Sequence, residues 1–126
     1  MIQSDIQKIV EDLIETFLDA GKISLDLREK GLTKEIKSDN TPVSNGDLEV
    51  NKILTKRISE LTPNIPIVSE ETSENKSRNN LENFWLIDPI DGTYDYINNL
   101  DEFTINAGLI IQKKTCCWIN LCSSKK

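Results

Sequence analysis

Apolar residues recur every three or four positions along the first part of the chain. The repeat consists of Ile2, Ile6, Ile9, Val10, Leu13, Ile14 and Phe17. An α-helix completes a turn in about 3.6 residues, so this spacing places the apolar side chains on one face. The pattern therefore predicts a long amphipathic helix over residues 2 to about 29, which contains Gly21 and is closed by Gly31.

A second helix is predicted to follow a short strand and a polar loop. The strand covers residues 33–37 (TKEIK), and the loop covers residues 38–47 (SDNTPVSNGD), which are rich in turn-forming residues. Ser44 and Asp47 have the spacing of a capping box, in which the side chains of a serine and a later acidic residue each accept a hydrogen bond from the other residue's backbone N–H. The buried stripe of this helix is predicted to be Leu48, Val50, Leu54, Ile58 and Leu61.

Three later apolar runs are short enough to be strands. They are residues 63–68 (PNIPIV), 84–87 (FWLI) and 103–112 (FTINAGLIIQ). The third run is almost continuously apolar, which predicts that both faces of its strand are covered. Two helices followed by strands, with acidic loops at the strand ends, predict a layered α+β fold.

Composition and charge narrow the classes of function. At 126 residues, with 37% hydrophobic and 29% charged residues, the chain is expected to form one globular domain. No apolar run approaches the ~20 residues of a membrane span, and the N-terminus lacks signal-peptide features, so we expect no membrane span and a cytoplasmic location. The net charge of −6 argues against a nucleic acid polymer as partner, because phosphate backbones are bound by clustered Lys and Arg.

The chain has no histidine and three cysteines. Without histidine, the usual zinc ligand and the commonest general base are missing, which favours a hard cation bound by carboxylates. The three cysteines lie close to the C-terminus, at Cys116, Cys117 and Cys122. Because their number is odd, we expect no disulfide framework, and their spacing does not favour a zinc site.

Acidic residues follow the predicted strands. Glu70 and Glu71 come after the first strand, Asp88 comes directly after FWLI, and Asp91 lies one turn further on. Adjacent strands would bring these carboxylates together, and they would repel one another unless a cation neutralised them. Pro89 is expected to help stop its strand because it has no N–H for the sheet.

Each of these residues also has a purely structural explanation. DPIDG is favourable turn chemistry, so Asp88 could simply end a strand; the two glutamates could be solvated loop residues, and Asp47 could be a helix cap.

Gly92 permits a backbone geometry that lets a ligand approach closely, and the N–H groups of Gly92 and Thr93 could face a phosphate oxygen.

Four stretches resemble successive signatures of one enzyme superfamily. They are KSDNTPVSNGD (37–47), IPIVSEE (65–71), WLIDPIDGT (85–93) and EFTINAGLI (102–110). Together they resemble the inositol monophosphatase superfamily, and most closely its 3'(2'),5'-bisphosphate nucleotidase (CysQ-type) branch, over residues 1 to about 114. The resemblance implies the N-terminal half of a layered α/β/α/β/α sugar-phosphatase-type sandwich, with two long helices and a largely antiparallel sheet.

The resemblance also implies a cofactor and roles for individual residues. The implied cofactor is Mg²⁺, which prefers oxygen ligands, and its implied ligands are the carboxylates of Glu70, Asp88 and Asp91 and the carbonyl of Ile90. The implied catalytic residues are Asp47 and Thr93, which would orient the attacking water, and Glu70; Gly92 and Thr93 would bind the phosphate. The implied reaction is in-line hydrolysis of adenosine 3',5'-bisphosphate to AMP and phosphate without a covalent enzyme intermediate, and inositol monophosphates are the alternative substrate.

The chain departs from the superfamily in length and at its C-terminus. Members are much longer, and their second halves supply a further metal-binding aspartate and most of the surface that recognises the nucleoside. We therefore expect residues 1–114 to be the N-terminal half of a phosphatase domain, inactive alone, with a non-catalytic metal-binding fragment as the rival interpretation. Residues 115–126 (TCCWINLCSSKK) do not resemble the family and are interpreted either as a frame-shifted tail or as an ordinary edge strand. Nothing in the sequence favours one oligomeric state.

Overall fold

Three helices and six strands make up the described part of the chain, which is residues 3–37, 40, 42–69, 82–98 and 103–123 of the computed structural model. In chain order they are α1 (Gln3–Lys30), β1 (Lys34–Ile36), β2 (Pro42–Ser44), α2 (Asn45–Leu61), β3 (Ile67–Ser69), β4 (Phe84–Asp91), α3 (Thr93–Ile97), β5 (Phe103–Ile111) and β6 (Lys114–Ser123).

Helix α1 confirms the first predicted helix. It ends at Lys30, and Gly31 follows with a φ of 100°, its N–H donating to the Arg28 carbonyl at 3.3 Å. A positive φ is a conformation that glycine adopts without steric cost, which is why the helix ends here. The apolar residues that α1 buries are Ile9, Leu13, Phe17 and Ala20.

Helix α2 confirms the second predicted helix and its cap. Ser44 is the N-cap residue, and the capping box is complete, with Ser44 and Asp47 each accepting from the other's backbone N–H. Val50, Leu54 and Ile58 are fully buried, as predicted, and Leu61 is half-buried. The cap therefore forms locally, and the buried stripe holds α2 against the rest of the protein.

Leu48 was predicted to belong to the buried stripe of α2 but is exposed, so this prediction was wrong, and Ile14 of the apolar repeat in α1 is exposed as well. Ile14 is 49% exposed and Leu48 is 50% exposed. Each follows a fully buried residue, Leu13 or Asp47, and successive helical residues are rotated by about 100° around the axis. The buried faces are thus narrower than the apolar pattern suggests. Ile2, the first member of the predicted repeat, lies outside the described residues.

A small two-stranded sheet precedes α2. Strand β1 lies within the predicted strand at residues 33–37, but β2 lies where the sequence predicted only a loop. The two strands pair antiparallel, with Glu35 opposite Val43, and Val43 is buried. The sequence did not predict β2, because its residues are typical of turns and its strand structure depends on pairing with β1.

The main sheet has four strands in the order β3-β4-β5-β6. Strands β3 and β4 are parallel, and the other two pairs are antiparallel, which confirms the largely antiparallel sheet. The first predicted strand, at residues 63–68, is displaced to residues 67–69, because residues 63–65 form a turn after α2. The fully buried residues of the inner face are Trp85, Ile87, Ile105, Ala107 and Leu109. They form one core with the helices, so the fold is a layered α+β arrangement.

Strand β6 contains most of residues 115–126, the segment that the sequence analysis separated from the phosphatase domain. It lies at one end of the sheet and pairs with β5 along its length, with Trp118 opposite Gly108 and Leu121 opposite Ile105. The interpretation of residues 115–126 as a frame-shifted tail stays a prediction about the nucleotide sequence. Among the described residues, no helix is long and apolar enough to cross a bilayer.

Candidate active site

Asp47 is a completely buried carboxylate in the first turn of α2. Its Oδ2 accepts hydrogen bonds from the Ser44 N–H at 2.9 Å and from the Ser44 hydroxyl, and its Oδ1 accepts one from the Thr93 hydroxyl at 2.7 Å. A buried charge is costly unless it is hydrogen-bonded, and a helix N-terminus further favours a negative group. The capping box therefore fixes this carboxylate with one oxygen facing Thr93.

Thr93 connects Asp47 to the end of strand β4. Its Oγ1 lies 2.7 Å from Asp47 Oδ1 and 3.2 Å from the Ile90 carbonyl oxygen. A hydroxyl has a single proton, so Thr93 donates to the nearer and charged acceptor, Asp47. Residues 47 and 93 are 46 positions apart in sequence, so this contact depends on the tertiary fold.

Gly92 makes the turn that places Thr93. It is the N-cap of α3 and has φ 90° and ψ 43°, a left-handed conformation that other residues adopt only at a cost. This turn lets the chain pass directly from β4 into α3, which begins at Thr93. Gly92 therefore has a backbone conformation that favours glycine, while the close approach of a ligand to it stays a prediction.

Asp88 and Asp91 lie on the same face of the main sheet because β4 contains a bulge. Asp88 is opposite Asn106 and Asp91 is opposite Thr104, so three residue steps on β4 match two steps on β5. Side chains alternate between faces along a strand, so residues 104 and 106 share a face, and the additional residue in the bulge brings both aspartates to it. Asp88 is half-buried and Asp91 is exposed.

The bulge corrects the expectation that Pro89 helps to stop the strand. Strand β4 continues through Pro89 to Asp91, so Asp88 lies within the strand and not after it. The register shift between Asp88 and Asp91 accommodates a residue that has no N–H for the ladder. Pro89 is instead fully buried.

Glu70 and Glu71 lie outside the described residues. Strand β3 ends at Ser69, whose hydroxyl donates to the side-chain carbonyl of Asn51. Asn51 is one helical turn after Asp47 and is also buried, so α2 contacts both Thr93 and the end of β3. The sequence reasoning missed Asn51; its four-residue spacing from Asp47 was the only local signal.

Tyr96 and three residues around it form a cluster next to Gly46 and Asp47 that the sequence reasoning missed. The Tyr96 hydroxyl donates to the Ser24 carbonyl at 2.6 Å, and its ring meets Phe103 edge-on with 4.8 Å between centroids. The Arg28 guanidinium lies 5.6 Å from the centre of the Tyr96 ring. Burial and the neighbouring negative charge of Asp47 raise the pKa of Tyr96 above its usual value, and the positive charge of Arg28 opposes this only partly.

The predicted metal donors that lie within the described residues are all oxygen atoms. Asp88 and Asp91 share a face, and the Ile90 carbonyl lies between them in sequence, 3.2 Å from the Thr93 hydroxyl. Oxygen ligands without histidine or cysteine suit Mg²⁺ or Ca²⁺. Within the described ranges no three Asp, Glu, His or Cys side chains come together as a metal-binding group, and the predicted third carboxylate, Glu70, lies outside them. The donor chemistry therefore fits a hard cation.

Comparison with known proteins gives consistent matches in sequence. Residues 5–120 match the sequence profile of the Inositol monophosphatase family. The chain is 39% identical over 97 residues to the 3'(2'),5'-bisphosphate nucleotidase CysQ of Haemophilus influenzae, covering 75% of this chain and 36% of that protein. It is 38% identical over 104 residues to the CysQ of Aggregatibacter actinomycetemcomitans, covering 81% and 39%. The chain thus spans well under half the length of these curated relatives.

Solved structures show the same fold. The extragenic suppressor protein suhB of Bartonella henselae superposes with a TM-score of 0.78 at 20% identity, over 90% of this chain and 44% of that one. The inositol monophosphatase of Thermotoga maritima superposes with a TM-score of 0.77 at 21% identity, over 88% and 42%. An IMPase/NADP phosphatase with a TM-score of 0.72 and 21% identity, matched over 90% of this chain and 42% of that one, was solved with Mg²⁺ and phosphate.

Proposed function

Because the chain belongs to the inositol monophosphatase family, we propose that it forms the N-terminal part of a magnesium-dependent phosphomonoesterase that hydrolyses adenosine 3',5'-bisphosphate to AMP and phosphate. The observation that carries the proposal is the position of Thr93 Oγ1, 2.7 Å from Asp47 and 3.2 Å from the Ile90 carbonyl. The Thr93 hydroxyl is therefore bonded to Asp47 and lies close to the carbonyl that is proposed as a metal ligand. The CysQ relatives, at 38–39% identity, support the bisphosphate as substrate.

Asp88, Asp91 and Glu70 would hold the magnesium ion through their carboxylates, together with the carbonyl of Ile90. The bulge in β4 supports this assignment, because it turns two aspartates to one face of the sheet. When bound, the cation supplies positive charge that neutralises phosphoryl oxygens and acidifies water. The protein's contribution is to hold these oxygen ligands in a fixed arrangement.

Asp47 and Thr93 would orient the water that attacks phosphorus, with Glu70 as the further catalytic carboxylate. The proton of the Thr93 hydroxyl is directed to Asp47, so the Thr93 oxygen has lone pairs left to accept a hydrogen bond from water. The water would attack in line as the bond between phosphorus and the 3'-oxygen breaks, and a proton passes to the leaving oxygen. The N–H groups of Gly92 and Thr93, at the start of α3, would donate to phosphate oxygens.

A non-catalytic fragment that binds cations is the second candidate. It is favoured by one observation, which is that the chain spans 36% and 39% of the length of its CysQ relatives. In this case Asp88 and Asp91 would still bind a cation, but no phosphate would be released.

The test is phosphate release from adenosine 3',5'-bisphosphate with Mg²⁺, with an inositol monophosphate as the competing substrate. Release that is lost in Asp47→Asn and Thr93→Val supports the enzyme. The matched controls are Asp19→Asn, an exposed acid of α1, and Thr55→Val, whose hydroxyl donates to the Asn51 carbonyl. Magnesium binding without release from either substrate would refute phosphatase activity of this chain by itself and support the fragment. Faster release from the inositol phosphate would refute the substrate assignment.

A further inference from the structure

Tyr96 links α3 to two other elements next to the Asp47–Thr93 pair. It is fully buried and follows Thr93 by three residues, so both lie on neighbouring positions of one short helix. Its hydroxyl donates to the Ser24 carbonyl of α1 at 2.6 Å, and its ring packs edge-on against Phe103 of β5. Tyr96 therefore fixes the helix that begins with Thr93.

Gly46 shows how closely Tyr96 approaches the start of α2. A β-carbon placed on Gly46 would lie 2.1 Å from the Tyr96 hydroxyl oxygen and 2.6 Å from Cε2 of the ring. Only a residue without a side chain allows this approach. Gly46 directly precedes Asp47, so the tyrosine is in contact with the backbone that carries the carboxylate. The same side chain thus controls the spacing between the segments that hold Asp47 and Thr93.

Tyr96 lies between two opposite charges, Arg28 and Asp47. The Arg28 guanidinium lies 5.6 Å from the Tyr96 ring centre and 5.3 Å from that of Phe103, within the range of a cation–π interaction. Burial and the negative charge of Asp47 raise the pKa of Tyr96, and the positive charge of Arg28 lowers it; the hydroxyl donates to the Ser24 carbonyl.

We propose that Tyr96 is a positioning residue, which holds α3 against α1 and the start of α2 so that the Thr93 hydroxyl stays bonded to the Asp47 carboxylate. This inference rests on the proposed function, in which that pair orients water. The competing explanation is that Tyr96 contributes only to the core. Loss of a core contact would weaken all elements together, whereas loss of a positioning contact would loosen the Asp47–Thr93 region more than the sheet.

The test is amide hydrogen exchange on the 126-residue chain with Tyr96→Phe, which removes only the hydroxyl. Two amides report on the site: that of Ser44, which donates to Asp47 Oδ2 at 2.9 Å, and that of residue 96, which donates to the Gly92 carbonyl at 3.0 Å. The amides of Ala107 and Leu109 in the central strand β5 are the reference. We expect protection at the two reporters to fall about tenfold, with the reference changing less than about twofold.

The matched control is Tyr94→Phe, because Tyr94 lies in the same helix and is 67% exposed. It should leave all four amides unchanged. Equal loss at the reporters and the reference in Tyr96→Phe would overturn the proposal in favour of a core role, and no loss at the reporters would overturn it outright. Gly46→Ala, which pushes the ring aside, should loosen the same two reporters.

Turnover separates this inference from the proposed function. The exchange experiment needs no substrate, so loosened reporters without any phosphate release would support the positioning role and refute phosphatase activity of this chain by itself. Where phosphate is released, Tyr96→Phe should lower kcat about tenfold with little change in KM, because the pair acts on water and not on substrate binding. If Tyr96→Phe releases phosphate with the kcat of the wild type, the positioning role is refuted and the proposed function is not.

Discussion

Thr93→Val tests the central contact of the site by replacing the hydroxyl with a methyl group of similar size. Asp47 is completely buried, and the Thr93 hydroxyl donates to its Oδ1 at 2.7 Å, while Ser44 supplies two hydrogen bonds to the other oxygen. Hydrogen bonds to charged groups contribute about 1.5–3 kcal/mol, so the variant should lose about 2 kcal/mol of unfolding free energy. For a domain of this size, that corresponds to a fall in Tm of about 8 °C.

The assay is urea unfolding followed by circular dichroism, with thermal unfolding as a second measurement. Thr93→Ser should retain most of the stability because it keeps the hydroxyl. Thr55→Val is the matched control: the Thr55 hydroxyl donates at 2.8 Å to the Asn51 carbonyl within α2, and its loss should cost less than about 0.5 kcal/mol. If Thr93→Val costs no more than Thr55→Val, the carboxylate does not depend on Thr93 and the site geometry is wrong.

Three further predictions concern the residues that support the site. Gly46→Ala should lower the free energy of unfolding in urea by about 2 kcal/mol or more, because the new β-carbon would lie 2.1 Å from the Tyr96 hydroxyl oxygen. The control Gly31→Ala meets no atom within 4 Å and should lower it by only about 1 kcal/mol, because of the positive φ of Gly31. Equal losses in the two variants would contradict the close approach of Tyr96 to Gly46. The Thr62 hydroxyl accepts a hydrogen bond from the buried Trp85 indole N–H at 3.0 Å, so Thr62→Val should lower the free energy of unfolding by about 1–3 kcal/mol. Thr62→Ser keeps the hydroxyl and should lower it less. The same loss in both variants would show that this hydrogen bond does not stabilise the protein. The unfolding free energy should fall as the pH rises above about 10, because unfolded Tyr96 then ionises while the folded protein, with its raised pKa, still binds the proton; the contribution is fully present below that pH. Tyr96→Phe should show a shallower decline, and an unchanged pH profile would contradict the raised pKa.

The sequence by itself determined the features that depend on neighbouring residues. The spacing of Leu13 and Phe17 predicted α1, and the Ser44–Asp47 spacing predicted the cap of α2, and both are present. Gly92 predicted a backbone geometry that favours glycine, and its φ of 90° agrees with this. These features succeed because helix periodicity, capping and glycine conformations are set within a few residues. The resemblance to the inositol monophosphatase superfamily rested on equally local motifs, and the family match confirms it.

The tertiary structure decided what lies between these local features. It showed that β4 passes through Pro89 to Asp91, because pairing with β5 accommodates the residue in a bulge. It also brought Thr93 to Asp47 and Tyr96 to Ser24, across 46 and 72 residues respectively. Hydrogen bonds between distant segments depend on how sheets and helices pack, and a local sequence pattern does not predict that packing. The sequence could therefore name Asp47 and Thr93 separately, but only the fold joins them.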